Sequence, residues 1–103
     1  MKLAGFFLFA ILAFAQEASQ STSGKALFEK KCGVCHESET SERRIGPSLK
    51  GVKDGKLPDS LGKAATHENI LKQINNGGNG MPVFRDLLTD DQKESLVTYV
   101  MTL

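Results

Sequence analysis

Hydrophobic residues recur at helical spacing near the end of the chain. Leu96, Val100 and Leu103 stand at i, i+4 and i+7, which is the pattern of one buried helix face. The preceding sequence Thr89-Asp90-Asp91-Gln92 has the form of a capping box, and its two aspartates favour the positive end of the helix dipole. The pattern therefore predicts a helix that begins after Thr89.

A second helix is predicted in the middle of the chain. Thr66 is a suitable N-cap, and Ile70, Leu71 and Ile74 then fall on one helix face. The sequence Asn75-Asn76-Gly77-Gly78 is a typical helix C-terminus. A Gly-rich loop is expected over residues 77–88.

The first half of the domain has a shorter helix and a long loop. Ser23 is expected to cap a helix over about residues 24–31. Residues 37–65 are rich in glycine and charged side chains and contain two prolines, which predicts a long ordered loop with a short helix near residues 59–64. Alternating strand patterns are absent from the sequence, so the predicted fold class is all-α. A loop of this length in so small a domain needs something to wrap around.

Residues 1–15 have the composition of a secretory signal peptide. Lys2 precedes a short apolar run that ends in the small-x-small sequence Ala13-Phe14-Ala15. The run of about 13 apolar residues is shorter than the roughly 20 that span a bilayer, so we expect cleavage after Ala15 rather than an uncleaved anchor. Residues 16–23 are small and polar and are expected to form a flexible leader, which leaves residues 24–103 as one domain.

Charge excludes two classes of partner. The chain has 103 residues, with 13 Lys and Arg against 12 Asp and Glu, and removal of Lys2 with the leader would give a net charge of zero. Without a concentrated positive field, neither nucleic acid nor an anionic membrane surface is an expected partner. Stable membrane insertion is not expected once the apolar run has been cleaved off. Chains of this size often depend on a disulfide, a metal or a cofactor for stability.

The sequence Cys32-Gly33-Val34-Cys35-His36 is the C-x-x-C-H signature of c-type haem attachment. Two thiols three positions apart can form thioethers with the two vinyl groups of one porphyrin, and the next residue offers an imidazole nitrogen to the iron. The motif uses both cysteines of the chain.

Two other uses of the cysteines remain as alternatives. A redox-active disulfide of the thioredoxin type would need a βαβ sheet, for which no strand pattern exists. A zinc site formed by Cys32, Cys35, His36 and His67 would lack the usual paired ligand spacing. His67 is also a conceivable second iron ligand, although the first position of a helix usually faces solvent.

Two methionines differ in their sequence context. Met81 lies in a Gly-rich, non-helical stretch before a proline, where glycines allow the backbone to pass close to a flat cofactor. Met101 lies among the core-facing residues of the last helix, and we expect it to pack in the core.

The sequence resembles the class I c-type cytochromes over residues 24–103. Gly24-x-x-x-Phe28 looks like the family's N-terminal helix, in which the glycine permits close approach of the C-terminal helix. Leu96-x-x-Tyr99 looks like the matching pair on that C-terminal helix. The resemblance implies the cytochrome c fold, in which three to five short helices wrap around one covalently bound haem c.

The resemblance also implies a set of site residues. The segment Ile45-Gly46-Pro47-Ser48-Leu49 is similar to the family loop whose proline carbonyl accepts from the proximal histidine and whose leucine packs on the haem. Gly80-Met81-Pro82 is similar to the loop that supplies the axial methionine. The implied cofactor-binding residues are Cys32, Cys35, His36, Pro47, Leu49 and Met81, with His36 and Met81 as the metal ligands.

The function implied by the resemblance is electron transport. An iron with His36 and Met81 as axial ligands has no open position, so a monomeric, periplasmic or secreted one-electron carrier is expected rather than an enzyme. Its partners would be redox proteins that approach the exposed haem edge. The alternatives are a haem c subunit dedicated to one periplasmic oxidoreductase, or a haem enzyme or gas sensor with an open sixth position.

Overall fold

The computed structural model describes residues 23–58 and 62–103. Helix α1 extends from residue 23, the first that is described, to residue 31; α2 is His67–Asn76 and α3 is Asp90–Val100. Between α1 and α2 a short 3₁₀ helix spans Val52–Asp54. No strand occurs within the two described ranges, which contain only the isolated bridges Lys56–Ala64 and Gly78–Met81. The prediction of an all-α fold is confirmed.

Helix α2 begins and ends where its sequence predicts. The Thr66 side chain accepts a hydrogen bond from the backbone N–H of Asn69 at 3.1 Å, and Gly77 ends the helix with φ of 58°. Ile70 and Ile74 are buried on the predicted face. Local capping chemistry therefore sets both ends of this helix.

Helix α3 begins with the predicted capping box, since Thr89 and Gln92 each accept from the other's backbone N–H. Leu96, Val97 and Val100 are buried. The expectation that Met101 packs in the core is wrong, because its side chain is 40% exposed. The helix ends at Val100, and the turn that follows directs Leu103 towards the core instead.

Two expectations for the first half of the chain need correction. Ser23 is itself helical, so it does not cap α1 from outside. The helix predicted near residues 59–64 is not helical in its described part, where Gly62 has φ of 81°. The 3₁₀ helix forms instead around buried Val52, between two glycines with left-handed backbone conformation, Gly51 and Gly55. Residues 59–61 lie outside the described residues, as do the predicted signal peptide and residues 16–22 of the leader.

Helices α1 and α3 pack together as the resemblance implies. A Cβ atom added at Gly24 would overlap the backbone carbonyl of Ser95 and lie 2.9 Å from the Cβ of Tyr99. The rings of Phe28 and Tyr99 are 5.4 Å apart between centroids and tilted by 56°, a favourable aromatic arrangement. The buried core consists of Phe28, Val52, Ile70, Ile74, Leu88, Leu96, Val97 and Val100. None of the described helices is long and apolar enough to cross a membrane.

Candidate haem site

The C-x-x-C-H segment forms a tight turn at the end of α1. The backbone N–H groups of Cys32 and Gly33 both donate to the Phe28 carbonyl at 2.7 Å. The N–H groups of Cys35 and His36 donate to the Cys32 carbonyl at 3.0 and 2.9 Å. Both cysteine side chains are partly buried. One turn therefore carries two thiols and an imidazole, which is the donor set that covalent haem attachment requires.

The electrostatics of the turn disfavour a redox disulfide. Burial raises the pKa of the Cys32 thiol to about 11, with a smaller contribution from the neighbouring Cys35. Redox-active C-x-x-C motifs have a thiol pKa that is lowered instead. Within the described residues, no group of three or more His, Cys, Asp or Glu side chains could hold a metal ion, so the zinc alternative is not supported either.

The His36 imidazole is oriented by the backbone of the following loop. Its Nδ1 lies 2.7 Å from the carbonyl oxygen of Pro47, so Nδ1–H donates, because a carbonyl oxygen can only accept. This tautomer leaves the Nε2 lone pair available to a metal. A Cβ added at Gly46 would lie 2.7 Å from Cε1 of His36 and 3.0 Å from its Nδ1. Gly46 therefore lets the loop pass directly against the ring.

Further contacts hold this loop against the C-x-x-C-H turn. Arg44 donates to the Gly33 carbonyl at 3.1 Å and pairs with the Glu37 carboxylate at 3.0 Å. The Leu49 N–H donates to the Glu37 carbonyl at 2.9 Å, and the Leu49 side chain packs against the core. Hydrogen bonds from the Glu39 backbone and from Arg44 lower the pKa of Glu37. Nothing in the spacing of Arg44 along the sequence indicated these partners.

Met81 lies at the end of a tight turn. Gly78 and Met81 exchange two backbone hydrogen bonds of 3.0 Å each. The two residues between them, Asn79 and Gly80, have φ of 52° and 91°. Positive φ at both central positions is the property of a type I′ turn, for which Asn-Gly is the preferred pair. The Asn79-Gly80 dipeptide was the sequence signal for this turn.

The Met81 thioether lies beside α2. Nε2 of Gln73 is 3.5 Å from Sδ of Met81 and donates to the Gly77 carbonyl at 3.1 Å. A Cβ added at Gly77 would overlap the Met81 carbonyl oxygen and lie 2.8 Å from the carbonyl carbon of Pro82. Gln73 was not found by sequence reasoning, because no spacing rule distinguishes it from other polar residues of the helix.

His67 lies at the exposed start of α2 and pairs with α3. Its Nε2 lies 2.7 Å from a carboxylate oxygen of Glu94 on α3, and both side chains are about half exposed. The prediction that the first position of α2 faces solvent is therefore confirmed. The donor set formed by two thiols, an imidazole with an available Nε2 and a thioether in a glycine-rich turn fits a covalently attached haem.

Comparison with known proteins finds relatives in both sequence and structure. A family model described as cytochrome c oxidase, cbb3-type, subunit III matches residues 19–100. Cytochrome c6 of Leptolyngbya boryana is 31% identical over 83 residues, which are 81% of this chain and 92% of that protein. The crystal structure of cytochrome c6 from the diatom Phaeodactylum tricornutum superimposes with a TM-score of 0.62 at 25% identity, covering 80% of this chain and 91% of the other.

The fold and the turn of two thiols and an imidazole are those of a small haem protein. The chain belongs to the class I c-type cytochromes, so its cofactor is haem c and its function is electron transport. A further relative is the cytochrome c subunit of 4-cresol dehydrogenase (hydroxylating) from Pseudomonas putida. It is 36% identical over 78 residues, which are 76% of this chain and 57% of that subunit.

Proposed function

We propose that this chain is an exported one-electron carrier in which Cys32 and Cys35 hold haem c and His36 and Met81 are the axial ligands. The hydrogen bond from Nδ1 of His36 to the Pro47 carbonyl is the observation that carries the assignment. It fixes the ring orientation and leaves Nε2 unprotonated, as histidine ligands of metals require. Bound haem c would supply one iron that exchanges a single electron between its ferrous and ferric states.

Each site residue has a separate task in this proposal. The Pro47 carbonyl accepts a hydrogen bond from Nδ1–H and thereby raises the basicity of the His36 imidazole. Leu49 adds apolar surface to the haem site. The soft sulfur of Met81 favours the reduced metal, which raises the potential relative to a second imidazole. Because His36 and Met81 would both bind the iron, no coordination position would remain for a substrate, so we propose that the chain is not an enzyme.

Exposed apolar side chains near the site support docking of redox proteins at the haem edge. Val34 lies inside the attachment motif and is 66% exposed, Ile45 next to Gly46 is 74% exposed, and Val83 close to Met81 is 55% exposed. A small apolar contact of this kind suits the short-lived encounters of electron-transfer proteins. We propose donor and acceptor proteins as the partners of a monomeric carrier.

The proposed location is the periplasm or another space outside the cytoplasm. The signal-peptide pattern of residues 1–15 supports export, and cleavage after Ala15 would leave a leader at residues 16–23 and the cytochrome domain at residues 24–103.

A second candidate is a haem c subunit dedicated to one oxidoreductase. Its support is the similarity to the subunit of the Pseudomonas putida enzyme. The two candidate functions differ in whether the protein is bound to an enzyme in its native host. A dedicated subunit would elute with its enzyme in size-exclusion chromatography of a native extract, whereas a free carrier would elute at its own size.

The proposed function is tested on the purified holoprotein by a denaturing gel, a redox titration and CO binding. We expect haem to stay on the polypeptide in a denaturing gel, and the Cys35→Ser variant to mature poorly with at most one thioether. We also expect a reversible redox titration with a one-electron slope, and no rapid binding of CO to the reduced protein. Extraction of all haem into acidified organic solvent, or rapid CO binding by the unmodified protein, would contradict the proposal.

A further inference from the structure

Lys93 lies on the buried face of α3, where the helical pattern otherwise places apolar residues. It stands three, four and seven residues before buried Leu96, Val97 and Val100, so it begins the buried stripe of the helix. Only 8% of its side chain is exposed. A buried ammonium group is costly unless it is hydrogen-bonded, so the partners of Nζ explain why the residue is stable there.

The Lys93 ammonium donates to the backbone of the loop that carries Met81. Its Nζ lies 2.7 Å from the carbonyl oxygen of Arg85, four residues after Met81. The carboxylate of Asp90 is 4.0 Å away and fully exposed, so it is the weaker partner. The main contact of this buried charge is therefore a loop carbonyl and not an ion pair.

The same part of the loop is attached to α2. The guanidinium of Arg85 donates to the side-chain oxygen of Asn76, the last residue of α2. The backbone N–H of Phe84 donates to the Ile74 carbonyl at 3.1 Å. The segment after Met81 is thus fixed to α2 through Phe84 and the Arg85 side chain, and to α3 through the Arg85 carbonyl and Lys93.

We propose that Lys93 is a positioning residue for Met81, an inference that rests on the proposed role of Met81 as axial ligand. Because Met81 lies near the centre of this loop, movement of either half of the loop would displace the thioether. The upstream half is closed by the Gly78–Met81 turn, and the downstream half is held by Lys93 at the Arg85 carbonyl in addition to its two contacts with α2. Loss of the Lys93 hydrogen bond leaves the Arg85 carbonyl without its donor. It thereby raises the population of loop conformations in which Met81 is displaced from the iron.

The test compares Lys93→Leu with Lys25→Leu in the ferric holoprotein. Lys25 is an exposed lysine of α1, so its replacement removes the same charge without touching the loop. Imidazole is added as a competitor for Met81, and the far-red band of the methionine-ligated ferric iron reports displacement. We expect about a tenfold lower apparent dissociation constant for imidazole in Lys93→Leu, the size expected for one hydrogen bond to a charged group, and no change in Lys25→Leu.

Two further measurements separate positioning from general stability. In a guanidinium titration of Lys93→Leu, we expect the far-red band to be lost at a clearly lower concentration than the helical circular dichroism, and the Phe84 amide to exchange faster with solvent. Arg85→Ala retains the carbonyl but frees the loop from Asn76, and we expect a smaller increase in imidazole affinity. It serves as the second variant if Lys93→Leu folds poorly.

Equal imidazole affinity in the Lys93→Leu and Lys25→Leu proteins would overturn the proposal. The proposal would also be overturned if the far-red band and the helical signal of Lys93→Leu were lost at the same guanidinium concentration. A lysine with a merely structural role would produce that result. Absence of the far-red band from the unmodified protein would overturn the role of Met81 and this inference with it. A band that is present but insensitive to both Lys93→Leu and Arg85→Ala would overturn the inference alone.

Discussion

The imidazole of His36 donates its Nδ1–H to the carbonyl oxygen of Pro47 across 2.7 Å, and residue 46 between the two segments has no side chain to keep them apart. The Gly46 N–H also donates to the Cys35 carbonyl at 2.8 Å, so a second hydrogen bond joins the loop to the C-x-x-C-H turn. The orientation of the His36 imidazole is thus set by the polypeptide itself.

A methyl group at position 46 should therefore disturb the ring. In Gly46→Ala the new Cβ would meet Cε1 of His36 at 2.7 Å, so either the imidazole or the loop must move. We expect a loss of about 1–3 kcal/mol in the free energy of unfolding of the holoprotein, and faster exchange of the Nδ1 proton with water in nuclear magnetic resonance spectra. Ile45→Ala, which shortens an exposed neighbouring side chain, is the control and should change neither quantity.

The contact between Gly24 and Ser95 predicts that replacing this glycine by alanine lowers the stability of the protein, the opposite of the usual effect in a helix. Gly→Ala in an exposed helix interior is stabilising by about 1 kcal/mol. In Gly24→Ala the added methyl group would overlap the Ser95 carbonyl, so α1 and α3 must separate, and we expect a destabilisation of about 1–3 kcal/mol. Chemical denaturation of the holoprotein measures it, with exposed Ala26→Val as the control on the same helix. A Gly24→Ala protein as stable as the parent would contradict this close approach of α1 and α3.

Local signals explain which parts of the fold could be predicted from sequence. The N-caps Thr66 and Thr89 act through side chains within three residues of the backbone groups that they satisfy, so both helix starts were visible in the sequence. The His36–Pro47 bond came from the resemblance to a family. Met101 was misplaced because helical periodicity does not say where α3 stops and the chain turns.

Parts of the site that depend on tertiary contacts were not visible in the sequence. Gln73 lies eight residues before Met81 and Lys93 eight after Arg85, and neither spacing corresponds to a known local motif. From the residue type alone, Lys93 would be expected to face solvent, because its carbonyl partner belongs to another segment of the chain. The turn at Asn79-Gly80 is different, since its dipeptide does carry a local signal.

Removal of the cofactor should abolish cooperative folding. The described core has eight buried hydrophobic residues, among which Phe28 is the one aromatic, and the loop between α1 and α2 contributes only Val52 to it. Burial on this scale barely offsets a backbone ordering cost of about 1–2 kcal/mol per residue. We expect thermal circular dichroism of the purified apoprotein to show no cooperative helical transition, in contrast to the holoprotein. A cooperative melt of the apoprotein would contradict this expectation.

The partner of His67 bears on the identity of the sixth iron ligand. Its Nε2 is paired with Glu94 at 2.7 Å between α2 and α3, and the exposure of both side chains limits the pair to about 0–1 kcal/mol of stability. Release of His67 from Glu94 would therefore cost little. The position of His67 at the solvent-exposed start of α2, rather than the strength of this pair, argues against an iron ligand.

Substitution at positions 81 and 67 tests the ligand directly. We expect Met81→Ala to erase the far-red ferric band, to admit CO or cyanide, and to lower the midpoint potential, because the thioether that favours ferrous iron is gone. Met81→His should keep six ligands and also lower the potential, since imidazole tolerates ferric iron better. His67→Ala should leave band and potential unchanged, as should Met101→Leu at an exposed position. If Met81→Ala is silent and His67→Ala removes the sixth ligand, the iron has two histidine ligands, and the loop around Met81 serves another purpose.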